Sequence, residues 1–174
     1  MSTRPLDEQL AALKTGNTAI YPGQGPCRID RVVERVVESR GVMFYHLTIL
    51  DGNHGDLFVP VDKAGAIGLR LLIRKSEIPA LLTHLKRGAM PAANWKQRAT
   101  DNMKLLSSGS PYDLAEVVAS LTELGNTRSL TLGESGTLGK ARRLLICEMS
   151  EVTGETRAAI EEQVDCALNS TRDE

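Results

Sequence analysis

The spacing of apolar residues changes once along this chain of 174 residues. From Asn17 to Ile73 they come in short runs with strand-type alternation, broken by turn residues. NTAIYP ends at Pro22, and PGQGP over 22–26 supplies Gly23, Gly25 and Pro26 for a turn. CRIDRVVERVV (27–37) is rich in β-branched residues, although its charge spacing also suits a helix. ESRG turns the chain, VMFYHLTIL (42–50) reads as a strong strand, and DGNHGD reads as a hairpin loop. LFVPV (57–61) follows, with Pro60 placing it at a sheet edge or a strand end. AIGLRLLI (66–73) predicts one more short strand. Short strands at close spacing with tight turns argue for a small barrel or rolled sheet.

From Ser76 the apolar positions recur at threes and fours. SEIPALLTHLKRG predicts a helix capped by Ser76, with Ile78, Leu81, Leu82 and Leu85 on one side and Lys86, Arg87 and Gly88 at its end. AANWKQRATDNMKLLSSG (92–109) follows Pro91 and stops at Gly109. SPYDLAEVVASLTELG has Ser110 as cap, Pro111 at the first helical position and Gly125 as its stop. Thr131 and Glu134 have capping-box spacing at the start of a fourth helix. A fifth starts at Thr153 and carries Ile160, Val164 and Leu168 on one face. The expected architecture is α+β in two domains: a small β domain over 16–74, then an all-α domain of about five helices over 75–174. The change falls near 72–76, and residues 1–15 form a short helix or a loose tail.

Composition alters this picture little. A hydrophobic fraction of 41% and a charged fraction of 25% are those of a soluble globular protein. Aromatics are only 3%, so the core must be built from Leu, Val, Ile and Ala. The N-terminal MSTRPLDEQL has no apolar run of signal-peptide type, and a cytoplasmic protein is expected. Cys27, Cys147 and Cys166 are odd in number and widely spaced, which fits free thiols and gives neither a disulfide framework nor a zinc signature. His46, His54 and His84 have no metal-ligand spacing. No nucleophile, base and orienting group fall together, and GQG at 23–25 is a turn rather than a dinucleotide fingerprint. No catalytic residue, metal or cofactor is therefore expected. Gly133, Gly136 and Gly139 recur at the start of the fourth helix, each costing roughly 0.5–1 kcal/mol relative to alanine. That first turn is either frayed or packed tightly against another helix.

Charge does change the picture. The net charge of −1 conceals a segment, 84–108, with Lys86, Arg87, Lys96, Arg98 and Lys104 against Asp101 alone. In its middle stands the only tryptophan, Trp95. Two readings compete. Tryptophan is commonly buried, which would make Trp95 a core residue. Alternatively, an exposed indole at a helix start, ringed by cations, suits DNA. Cations neutralise phosphates, and the ring can stack on a base or wedge beside one, worth ~1–3 kcal/mol per stacked base. Asn94 would hydrogen-bond a base edge or cap the helix.

The segments NTAIYPGQG, FVPVDKAGAIGLR, NWKQRATDNMKLLSSGSPYDLAEVVASL and LTLGESGTLGKARRLLICEM resemble, in order and over roughly 16–170, the CarD/CdnL family of bacterial transcription regulators. The Asn-Trp…Arg helix followed by SGSPYDLAEVV is the specific part. The resemblance implies a Tudor-like RNA polymerase interaction domain that meets the β subunit by edge-strand contact. It also implies a helical domain that touches promoter DNA at the upstream edge of the melted region, where Trp95 wedges into the minor groove and holds the bubble open. Trp95, Lys86, Arg87, Asn94, Lys96, Arg98 and Lys104 are then the candidate DNA-contacting residues. Arg35, Arg40, Leu57 and Phe58 are the candidate polymerase contacts, and a monomer without membrane association is expected. Three departures from the family pattern stand out: Gln97 and Thr100 where basic residues are common, Phe58 before Val59–Pro60 where an arginine is common, and Gly136 and Gly139 in place of helix formers. The alternative function is a protein-interaction adaptor that does not bind DNA, with Trp95 buried in the helical core.

Overall fold

A computed structural model describes residues 13–52, 55–88 and 94–170. The expectations for residues 1–12, for His54 and for the connection through Pro91 lie outside the described residues. The chain divides into two compact units between Leu72 and Ile73.

The first unit is a five-stranded antiparallel sheet of β1 (Thr18–Tyr21), β2 (Gly25–Val37), β3 (Arg40–Ile49), β4 (Asp56–Pro60) and β5 (Arg70–Leu71), in spatial order β4-β3-β2-β1-β5. The ambiguous segment 27–37 is strand, because its β-branched residues pair along the whole length of β3. β4 ends the sheet, where the missing N–H of Pro60 is tolerated. A short helix α1 (Ala64–Ile67) precedes β5. Cys27, Ile29, Tyr45, Leu47, Ile49 and Val59 build the core on one sheet face, with Leu13 and Leu69 against them.

A bulge at Asp30 interrupts the β2–β3 register. It carries an extra residue, so the alternation of β2 shifts beyond it. Cys27 and Ile29 face the core before it, and Val32, opposite the buried Tyr45, shares that face after it. Arg31, Val33, Arg35 and Val37 are thereby sent to the other face. The hairpin then closes in two residues, Glu38 and Ser39, both in the left-handed region at φ 48° and 65°. Such a turn matches the twist of the strands but favours Asn-Gly, so this tip carries backbone strain.

The second unit contains α2 (Ile78–Lys86), α3 (Trp95–Ser108), α4 (Pro111–Thr127), α5 (Leu132–Thr153) and α6 (Arg157–Asn169). Its core joins Leu81 and Leu85 with Val117, Val118, Leu121, Leu145, Met149, Ile160 and Val164. Ser110 caps α4 with Pro111 behind it, and the Thr131–Glu134 capping box starts α5, as the sequence predicts. Three boundaries differ. Ser76 lies inside a 3-10 turn, Lys75–Glu77, and the Arg74 N–H is held instead by the Glu77 carboxylate at 2.9 Å. α4 runs past Gly125 to Thr127. α6 is capped by Thr156, not Thr153, because Gly154 takes the left-handed conformation that ends α5.

Glu148 is buried in α5, and its carboxylate accepts the Ile73 N–H at 3.0 Å, which ties the start of this unit to its core. Arg142 bridges α5 to α6 through Glu161 and Asp165 at 3.3 and 2.8 Å. Neither account of the glycine series holds. α5 is helical from Leu132, and a Cβ at Gly133, Gly136 or Gly139 would meet nothing within 4 Å. Those glycines face open space.

Candidate functional site

α3 begins at Trp95. Asn94 is its cap: the Asn94 side-chain oxygen accepts the Lys96 N–H at 2.9 Å. Capping, rather than a base contact, therefore occupies that oxygen. The indole is 65% exposed, so burial of Trp95 in the helical core, on which the adaptor reading drew, is overturned. The Lys96 ammonium lies 5.6 Å from the ring centroid, close enough for a cation–π contact that leaves its charge in solvent.

Beside the ring runs an open trench of about 490 Å³, lined by Trp95, Ala99, Met103 and Leu106 of α3 and by Arg128, Thr131, Gly133 and Thr137. Its apolar wall and the exposed indole and Met103 leave a hydrophobic feature in solvent. Arg98 and Glu134 line the same trench. Arg98 differs from the other cations of the predicted set. It is only 9% exposed, and its guanidinium donates to Glu134 at 3.1 Å. It anchors α3 to the start of α5.

The remaining cations are dispersed. Lys104 is exposed but stands nine residues after Trp95 on the same helix. Nine residues make two and a half turns, so Lys104 and Trp95 leave opposite sides of α3. Lys86 ends α2 and Arg87 is the residue after it, both exposed, where positive charge also complements the helix dipole. The structure thus groups Asn94, Trp95 and Lys96. Arg128, a trench residue beyond the end of α4, was not indicated by the sequence, since no local periodicity connects it to residue 95.

Glu134 is the electrostatic centre of this region. Arg128 donates to its two carboxylate oxygens at 2.7 and 3.1 Å, and the Thr131 N–H and hydroxyl add bonds at 2.9 and 3.0 Å. Arg128 chiefly, then Thr131 and Arg98, hold the Glu134 carboxyl down at about 2.

In the sheet unit the predicted partner residues separate by face. The register pairs Arg35 with Val42, Val37 with Arg40, and His46 with Phe58, which puts Arg35, Arg40 and Phe58 on the face opposite the core. Leu57 points the other way and, partly buried, packs against the core, as the period of two requires. Arg35 lies over the Phe58 ring at 3.7 Å, and His46 stacks on the same ring at 4.8 Å. His46 Nε2 is 3.4 Å from Asp56, and Arg28 pairs with Asp30 at 2.9 Å. Hydrogen bonds from Thr48 and Arg28 depress the Asp30 carboxyl. This face is apolar at its middle and ionic at its rim. With Phe58 on β4, the end strand among the described residues, it offers side chains as well as a sheet edge.

Among the described residues no three His, Cys, Asp or Glu side chains group as metal ligands. No described helix is long and apolar enough to cross a membrane.

Comparison with known families agrees with this division. Residues 13–73 match the CarD-like/TRCF RID domain, and residues 80–165 match the CarD C-terminal domain. Two adjacent domain matches, in this order and over nearly all the described chain, show that the protein belongs to the CarD/CdnL family of transcription factors that interact with RNA polymerase.

Proposed function

We propose that the protein docks on the RNA polymerase β subunit through its sheet unit and stabilises the promoter open complex by inserting Trp95 into the minor groove at the upstream edge of the bubble. It works as a monomer in the cytoplasm, without catalysis. The observation that carries this reading is the exposed indole at the first position of α3, with Lys96 beside it and an apolar trench at its flank. An apolar side chain of this kind can wedge between base steps, and nearby cations neutralise phosphate. Few cations share the side of Trp95, so binding to free DNA is weak. Docking on polymerase raises the local concentration of DNA and makes a weak contact sufficient. The wedge acts only by preferring melted over closed DNA, and about 1.4 kcal/mol of preference shifts that balance tenfold. On the sheet unit, Arg35, Arg40 and Phe58 are the side chains offered to polymerase, with the edge of β4 beside them.

Competitor-challenge measurements of open-complex lifetime test the reading. Trp95→Ala should shorten the lifetime while leaving polymerase binding intact. An unchanged lifetime with the variant bound would refute the wedge.

A further inference from the structure

The turn that presents the indole is held by a carboxylate from another helix. Arg98 follows Trp95 by three residues, close to one turn, and is the first buried residue of α3. Its Nη2 lies 3.1 Å from Glu134 Oε1. The same oxygen takes Arg128 Nη2 at 2.7 Å, and Glu134 Oε2 takes Arg128 Nη1 at 3.1 Å. Glu134 is itself fixed in the first turn of α5, where it closes the capping box with Thr131. One carboxylate thus joins the start of α3, the residue after α4 and the start of α5.

From this geometry, and resting on the wedge reading above, we infer that Glu134 is a positioning residue for Trp95: through Arg98 it fixes the turn from which the indole projects beside the trench. A guanidinium cannot shed its charge, so the anion facing Arg98 favours its burial. Without Glu134 the carboxylate facing Arg98 is lost, and the buried guanidinium is drawn towards water. Arg98 sits on the turn that carries Trp95, so its outward movement loosens that turn and frees the indole. A loosened wedge loses preorganisation, because ordering it on DNA then opposes binding. Arg128 serves the same carboxylate from a more exposed position, which keeps Glu134 ionised and aimed when solvent reaches the trench.

The test uses the whole 174-residue chain, whose single tryptophan makes the optical signal unambiguous. Time-resolved anisotropy of Trp95 in the free protein is compared for the wild type, Glu134→Ala, Glu134→Gln and Arg98→Lys. Open-complex lifetime is then measured for each, in both the Trp95 and the Trp95→Ala backgrounds. Glu134→Ala and Arg98→Lys should add a fast depolarising motion and shorten the lifetime about threefold or more. Neither should shorten it further once Trp95 is alanine. Glu134→Gln, which keeps an acceptor but no charge, should fall between them and the wild type. Unchanged anisotropy and lifetime, with Trp95→Ala still defective, would overturn the positioning role and leave the wedge standing. An equal loss in both backgrounds would also overturn it, as a general effect on the fold. If Trp95→Ala itself has no effect, the wedge fails and the positioning role fails with it. Should Glu134→Ala melt below the assay temperature, Glu134→Gln and Arg98→Lys carry the same comparison.

Discussion

Trp95→Ala should cost much less stability than most tryptophan truncations. Trp95 leaves 65% of its surface in water, so only about a third of its area is withdrawn from solvent on folding. Removing a core tryptophan costs about 3–5 kcal/mol. Scaled to a third, the loss here is about 1–1.5 kcal/mol. Alanine also has the better helix propensity at this exposed position, which returns about 0.5 kcal/mol. The net expectation is about 0.5–1 kcal/mol. For a helical unit of this size that lowers the melting temperature by about 2–8 °C. Leu121→Ala is the calibrant: Leu121 is fully buried in the core of the same helical unit, and its loss should cost about 2–5 kcal/mol. Urea melts followed by far-ultraviolet circular dichroism give both numbers in one series. A Trp95→Ala loss as large as that of Leu121→Ala would show that the indole supports the fold, and the assignment of its surface to DNA would lose its basis.

Gly136→Ala should stabilise the protein by about 0.5–1 kcal/mol, because the position is helical and an added Cβ meets nothing within 4 Å; a destabilised variant in the same melts would show a hidden contact on that face. The Glu134 carboxyl, depressed from 4.5 to about 2, contributes stability that is complete above pH 4.5 and is lost as the pH falls towards 2. Wild type and Glu134→Gln should therefore converge in stability over that window, and a difference that persists at pH 2 would contradict the assignment.

Much of this architecture is legible in the sequence because local chemistry and tertiary packing agree. Pro60 marks an end strand, Ser110–Pro111 and Thr131–Glu134 mark helix starts, and the change of period near Ser76 separates sheet from helices. The boundary errors come from competition between equivalent signals. Thr153 and Thr156 both suit a cap, and the choice falls to Thr156 because Gly154 ends the preceding helix, leaving the Thr153 hydroxyl bonded back to the Met149 carbonyl at 2.9 Å. The bulge at Asp30 has no sequence mark, yet it decides which face Arg35 occupies. Arg98 was readable in principle. It falls at i, i+4, i+7 and i+8 with Asn102, Leu105 and Leu106, the inward stripe of α3, whereas Lys96 does not. A cluster of cations along the chain is not a cluster in space, and helical phase decides between them. The partnership of Arg98 and Glu134 joins residues 36 positions apart, which only the fold brings together.

The most direct test of the central claim is a photocrosslinking amino acid at position 95 in polymerase–promoter complexes, with the adducts mapped to nucleotide resolution. The account predicts adducts to DNA at the upstream edge of the melted region, formed in open complexes and lost when the promoter is held closed. Adducts to polymerase alone, or to DNA equally in closed complexes, would contradict it.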